Sequence, residues 1–353
     1  MKENKKLIKF EWKKLFPWYT VLLFLGLVVV QLTVTMITYQ PKLDEEYMEY
    51  TQRLSGTMTE EKSQYIEDEK QRLYRIVNEK DSMNQAYVSG QITKQEFTDY
   101  NDQYADAVRH QEAFDLVYQK YQYFLGREDT IPVEFFYDSD WNTLLNDVTS
   151  DFILLFLVMA VLLPFFTKDY ESGVHDLIWT SKGKNHFLNC QTRLAVAISI
   201  GSSFLFLVIR AVCAVKLYLP GLHAPIQSLN AFGSFPFEFS VLQTVALLVL
   251  IKIIASGVLS CLLFILVYLL KKAIPVAALY IFCTYFLFLF KDMLGPFLEH
   301  LGLFPLVSGV EALKDYQQFK IFHLTVPSIL VNVTVALFIV LWSAAIFRKI
   351  KRE

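Results

Sequence analysis

Long apolar runs govern what this chain can become. Residues 18–38, WYTVLLFLGLVVVQLTVTMIT, carry no charged side chain, and about 18 or more such residues suffice to cross a hydrocarbon core ~30 Å thick. Six spans are expected, over residues 17–39, 151–167, 194–218, 241–270, 273–290 and 326–347. The second and fifth are short for that thickness, so their true ends should extend a few residues further. With 54% of its 353 residues hydrophobic, the chain exceeds ordinary soluble domains. The fold class this predicts is an all-α polytopic membrane protein. A basic stretch precedes the first span, in the manner of a signal peptide. QLTVTMITYQP offers no A-x-A-like cleavage site, so the span is expected to be retained.

Lysine and arginine set the orientation. Six lysines lie in residues 1–16, and Lys168, Lys182, Lys184 and Arg193 lie in the 167–193 loop. Lys271 and Lys272 separate spans four and five, and residues 348–353 form a basic tail. The opposite loops hold none in 219–240 and three in 291–325. Both termini and the 167–193 loop are therefore expected in the cytoplasm of a plasma membrane, and residues 41–150 outside it.

That outer insert reads as an antiparallel helical hairpin of coiled-coil type. Thr57 with Glu60, and Thr93 with Glu96, fit capping boxes, with Ile92 placed to staple onto Phe97. Between the arms, YVSGQI reads as a turn that gives Gly90 a left-handed conformation. Ile66, Leu73, Ile76, Met83 and Tyr87 recur on the first arm; Tyr100, Tyr104, Ala107, Phe114, Tyr118, Tyr121 and Leu125 recur on the second. Arms of 30–40 residues would be roughly 45–60 Å long. With 11 Lys/Arg against 23 Asp/Glu, the insert is strongly acidic, and long-range attraction would draw cationic peptides to it. A solvated scaffold or a dimer contact accounts for the same acidity. Phe135, Phe136, Tyr137 and Trp141 suit an interfacial helix leading back to the membrane.

The chemistry-bearing motifs are missing. No GxxxxGK[ST], HExxH, GxSxG or CxxC occurs, and the six histidines stand singly. No catalytic, cofactor or metal site is therefore expected. Cys190, Cys213, Cys261 and Cys283 read as small buried hydrophobes. Arg210, Lys216 and Lys252 are the costly residues within spans. They are expected to snorkel to the outer interface, the alternative being a translocation path that Glu299 would extend. The broken apolar segment 291–325 suits a re-entrant or interfacial pair of helices. At the N-terminus, Ile8, Trp12 and Leu15 share one face and Lys6, Lys9 and Lys13 another. This predicts an amphipathic helix on the inner leaflet, held by anionic lipid.

The segment TKDYESGVHDLIWTSKGKNHF, residues 167–187, interrupts the spans with polar chemistry. Val174, Leu177 and Ile178 share one helical face between flanking charges, which suits insertion into a protein groove. Here the chain resembles the permease subunits of ABC-2 type transporters. An N-terminal F-E-W-K-K core, containing Glu11, Trp12 and Lys13, is similar to theirs. So is E-x-G-x-x-x-x-L/I-x-T-S-x-x-K, here Glu171, Gly173, Ile178, Thr180, Ser181 and Lys184, with Arg193 following. The segment 291–325 is similar to their outer re-entrant hairpin. The resemblance covers all but residues 41–150. Long ectodomains between the first two spans mark branches linked to peptide export and antimicrobial-peptide immunity.

The resemblance implies a second permease subunit, homo- or heteromeric, above two ATP-binding subunits that hold the ATP and magnesium. Glu171, Gly173, Leu177, Ile178, Trp179 and Lys184 would form the coupling segment, with Glu171 capping it and Ile178 and Trp179 inserting into the ATPase. Ile8, Glu11, Trp12 and Lys13 would add a docking and membrane-surface helix. Arg210, Lys252 and Glu299 would be translocation-path residues. The competing reading is a sensor or accessory protein whose ectodomain binds a ligand without transport. An integral membrane enzyme is disfavoured by the lack of an intramembrane acid pair or His/Asp cluster. Nothing points to nucleic acid.

Overall fold

The computed structural model describes residues 11, 17–40, 44–126, 133–145, 147–181, 183–290, 293, 301–314, 318–321 and 324–352. In chain order it begins with helix α1 (Trp18–Thr38), α2 (Glu45–Arg53), strand β1 (Gly56–Thr57), α3 (Glu60–Asn78), α4 (Lys80–Val88) and α5 (Lys94–Leu125). Strand β2 (Glu134–Phe135), α6 (Ser139–Leu145), α7 (Val148–Glu171), α8 (Val174–Thr180), α9 (Lys184–Ala214) and α10 (Val241–Leu270) follow. The last part holds α11 (Ala273–Ile281), α12 (Phe304–Ser308), α13 (Val310–Lys314), strands β3 (Gln318–Ile321) and β4 (Leu324–Pro327), and α14 (Ser328–Arg352).

Five helical stretches are long and apolar enough to cross a membrane: α1, α7 with α6 ahead of it, α9, α10 and α14. The chain is a multi-pass membrane protein. Helix α10 is apolar on nearly every side, Lys252 being its one charged residue, the composition of a helix enclosed by others. It packs against α7, α9, α11, α12 and α14. Small residues allow close approach where lipid offers no hydrophobic drive between helices. Ser260 Oγ of α10 donates to Ser199 Oγ of α9 at 2.6 Å.

The limits of the spans differ from those the sequence suggests. Helix α7 runs from Val148 to Glu171, and α9 starts at Lys184 rather than 194. The polar link between them shrinks to α8 with two residues before it and three after it. The expected fifth span, 273–290, is only nine residues of α-helix followed by a π-turn over Phe282–Phe286 and one turn, Leu287–Leu289. Thr284 Oγ1 bonds back to the Tyr280 carbonyl at 2.7 Å within that widened turn.

Across the turn at Gly90, where φ is +76°, α3 and α4 pack on α5. Helix α5 opens with a reciprocal Thr93–Glu96 capping box. Helix α3 is capped by Thr59 rather than Thr57, because Thr57 lies in β1 and pairs with Glu134. An unforeseen helix, α2, completes this layer: Tyr47, Tyr50 and Leu54 join Ile66, Leu73, Phe114, Val117 and Phe124 in one core. Lys120 is buried at its edge, donating to Phe136 O at 3.0 Å and Asp138 Oδ2 at 2.9 Å. Burial pushes its ammonium below the ordinary lysine range, and Asp138 opposes that shift.

Phe135, Phe136, Tyr137 and Trp141 are buried within the protein, not spread at a membrane interface. Trp141 Nε1 donates to Pro220 O at 2.7 Å. Phe135 and Tyr137 belong to the core of Tyr47 and Phe124, and Phe136 and Trp141 are covered because residues 219–240 are a folded layer. Two 3-10 turns, Ile226–Ser228 and Asn230–Phe232, fill a core with Phe136, Trp141, Val241 and Leu248. Gly221, at φ +73°, leaves only 2.7 Å between a would-be Cβ and the Phe136 ring. Of the segment 291–325, α12 and α13 sit inside the protein. Phe304 and Val307 join the bundle core, and Val310 and Leu313 the insert-side core.

Candidate functional site

Two places gather the chemistry. The first is the corner where α7 turns into α8. Gly173 permits the reversal, since its φ of +71° lies in the left-handed region. Below it the Tyr170 ring stacks on His175 at 4.0 Å, and Gln191 of α9 donates to Asp169 at 3.2 Å. Glu171 is the last residue of α7, and its Oε1 accepts the Ala273 N–H at 3.3 Å. It therefore ties α7 to the start of α11 and does not cap α8, whose N-cap is Gly173.

The apolar face of α8 divides. Ile178 is half-buried and lines an inward crevice with Phe166, Phe187, Leu188 and Tyr268. Leu177 is the outward one, 72% exposed, with Val174 beside it. An open groove separates Gly173 and Asp176 from Lys271, Lys272 and Ile274. Ile274 is 84% exposed. Lys271 is the one non-glycine residue with positive φ among the described residues, at +58°. It ends α10 without a glycine.

Of the residues expected to act together, Glu171, Gly173, Leu177 and Ile178 meet at this corner. Lys184 is buried at the first turn of α9. Trp179 belongs to α8, with its side chain outside the described residues. Ile8, Trp12 and Lys13 also lie outside them, as does Glu299. Glu11 is buried, within electrostatic reach of Cys190 in α9.

The second place is a buried charge cluster at the opposite end of the bundle. Arg210 of α9 and Lys252 of α10 do not snorkel; both side chains are enclosed. Exposed Lys216 alone fits that expectation. Arg210 Nη1 donates to Asp151 Oδ1 at 3.1 Å, Nη2 to Leu144 O at 3.0 Å, and Nε to the Tyr39 hydroxyl at 3.0 Å. Lys252 Nζ shares Asp151 Oδ1 and lies 3.4 Å from Val307 O. Tyr39 donates onward to Asp147 Oδ2 at 3.0 Å. Gln31 of α1 donates to Ser150 Oγ at 2.8 Å.

Two carboxylates balance two cations, as burial demands. Asp147, the N-cap of α7, and Asp151 in its first turn form a buried acid pair that the sequence reading did not foresee. Their spacing of four residues puts both on one helical face. Placing the span's start at 151 hid that signal by leaving Asp147 in the insert. No protein-family model, curated protein or solved structure matches the chain.

Proposed function

We propose that this chain is the membrane-spanning subunit of an ABC-2 type transporter, moving a peptide or amphipathic substrate with ATP hydrolysed by a separate subunit. The observation that carries the reading is α8: a two-turn helix held between two spans, presenting Leu177 to solvent beside an open groove. Lys271, Lys272, Arg348, Lys349 and Arg352 belong to segments at this same end of the spans, the side that the positive-inside bias assigns to the cytoplasm. The chain carries no P-loop of its own, which suits a subunit that borrows its nucleotide chemistry.

In this reading two ATP-binding subunits dock beneath a pair of permease chains. Leu177 seats in a groove of the ATPase, and α8 passes nucleotide-driven motion to α7 and α9. Glu171 carries the same push to α11 through the Ala273 N–H. The acidic insert faces outward and meets the substrate.

The test is purification of the full chain from its native membrane in mild detergent, with co-purifying proteins identified and ATP hydrolysis assayed. The reading expects a stoichiometric ATP-binding subunit, lost on Leu177→Asp and kept on Leu177→Met. A chain that purifies alone, without ATPase activity, would overturn it.

A further inference from the structure

We infer that Asp147, Asp151, Arg210 and Lys252 form a two-position charge switch joining the root of the insert to the membrane helices. Arg210 is fixed to the insert's last helix through Leu144 O and to α7 through Asp151. Its Nε also lies 3.6 Å from Asp147 Oδ2, beyond a hydrogen bond but within an ion pair. Asp151 Oδ1 meanwhile serves both Arg210 and Lys252. The two cations thus compete for one oxygen, while a second carboxylate, holding only neutral donors from Ser150 and Tyr39, lies one helical turn away.

Arg210 can exchange Asp151 for Asp147 without either charge losing its partner, because Lys252 remains on Asp151. The Tyr39 hydroxyl bridges both ends of the exchange, since it accepts from Arg210 and donates to Asp147. A merely structural tie would not need four charges, because well-packed apolar residues of similar size hold helices at least as firmly. Exchange among paired charges provides two discrete arrangements in a packed interior, which does not deform continuously. The elements it moves are specific. Arg210 draws the ends of α1 and α6 with it, and Lys252 holds the carbonyl end of α12. Tilting of the insert and sliding of α9 against α7 are therefore one motion.

The experiment places donor and acceptor dyes on the full chain in lipid nanodiscs, at Val88→Cys in the insert and Ile274→Cys at the far end of the bundle. Both positions are exposed, and the four native cysteines are replaced. Single-molecule energy transfer should resolve two distances, the lesser state at about 0.1–10% occupancy, the ordinary range for a minor conformer. Asp147→Asn removes the alternative carboxylate charge yet retains an oxygen able to cap α7. It should abolish the minor population. Arg210→Lys keeps the charge but loses the fork, and should do the same if Asp147→Asn does not fold. A single distance in the unsubstituted chain, or two populations unchanged in both variants, overturns the inference. The readout needs no ATPase, so it stands or falls apart from the transporter reading.

Discussion

Lys252 and Asp151 were each individually visible in the sequence, yet their pairing was not, because they lie 101 positions apart. Removing one partner from a buried pair leaves a charge stranded, at about 3–5 kcal/mol. Lys252→Met should cost about 3 kcal/mol, the lower end of that range, since Arg210 still meets Asp151. Adding Asp151→Asn to Lys252→Met should not simply add a second loss, and a double-mutant cycle on detergent unfolding would read the coupling. Glu69 offers a pH test outside the membrane. Hydrogen bonds from Arg72 hold its carboxyl below the ordinary range, helped by the Tyr50 hydroxyl and opposed by burial. A lowered folded-state value stabilises above the unfolded value of 4.5, and that gain is lost as pH falls through the lowered one. Protection factors in α3, corrected for the intrinsic pH dependence of amide exchange, should therefore fall on acidification below about pH 5, and Glu69→Gln should flatten the trend.

At the level of elements, local signals and distant ones separate cleanly. The Thr93–Glu96 capping box and the left-handed Gly90 are short-range features, and the structure contains both. Thr93→Ala should cost about 1 kcal/mol and raise amide exchange in the first turn of α5. The cap of α3 fell on Thr59 because a strand pair between residues 56–57 and 134–135, about 80 positions distant, claims Thr57. Similarly, Phe136 and Trp141 look interfacial until residues 219–240 fold over them. Gly221→Ala tests that cover. With Phe136 at 2.7 Å and φ positive, the substitution should cost about 1–3 kcal/mol, as strained backbone does, and expose Trp141 fluorescence to quenchers.

Taken whole, the molecule has two ends of different chemistry, an acidic insert and a basic corner. The apolar runs made the membrane class legible, since hydropathy is a property of each segment alone. The candidate site was legible only in its location. That α8 lies between two spans follows from the sequence; that Leu177 rather than Ile178 faces outward depends on how α7, α9 and α10 close around it. If the insert receives a cationic peptide, binding should fall steeply with salt, because exposed charges are screened within about 10 Å at 0.1 M. Fluorescence anisotropy of a labelled cationic peptide on the full chain, compared between 50 and 500 mM salt, would check this; salt-independent binding would point elsewhere.

The π-turn in the fifth apolar segment has a consequence for the surrounding lipid. Ala273–Leu289 ends at Phe290 after 17 residues, a length of roughly 25 Å at helical rise, against neighbours of 24 to 31 residues. Were it to cross a bilayer ~30 Å thick, the bilayer would thin beside it or the helix would shift along the normal, at fractions of a kcal/mol per ångström of mismatch. If the segment lies in the hydrocarbon core, its described part forms a flank shorter than the rest. A change of membrane thickness would then be felt on that flank before it was felt elsewhere.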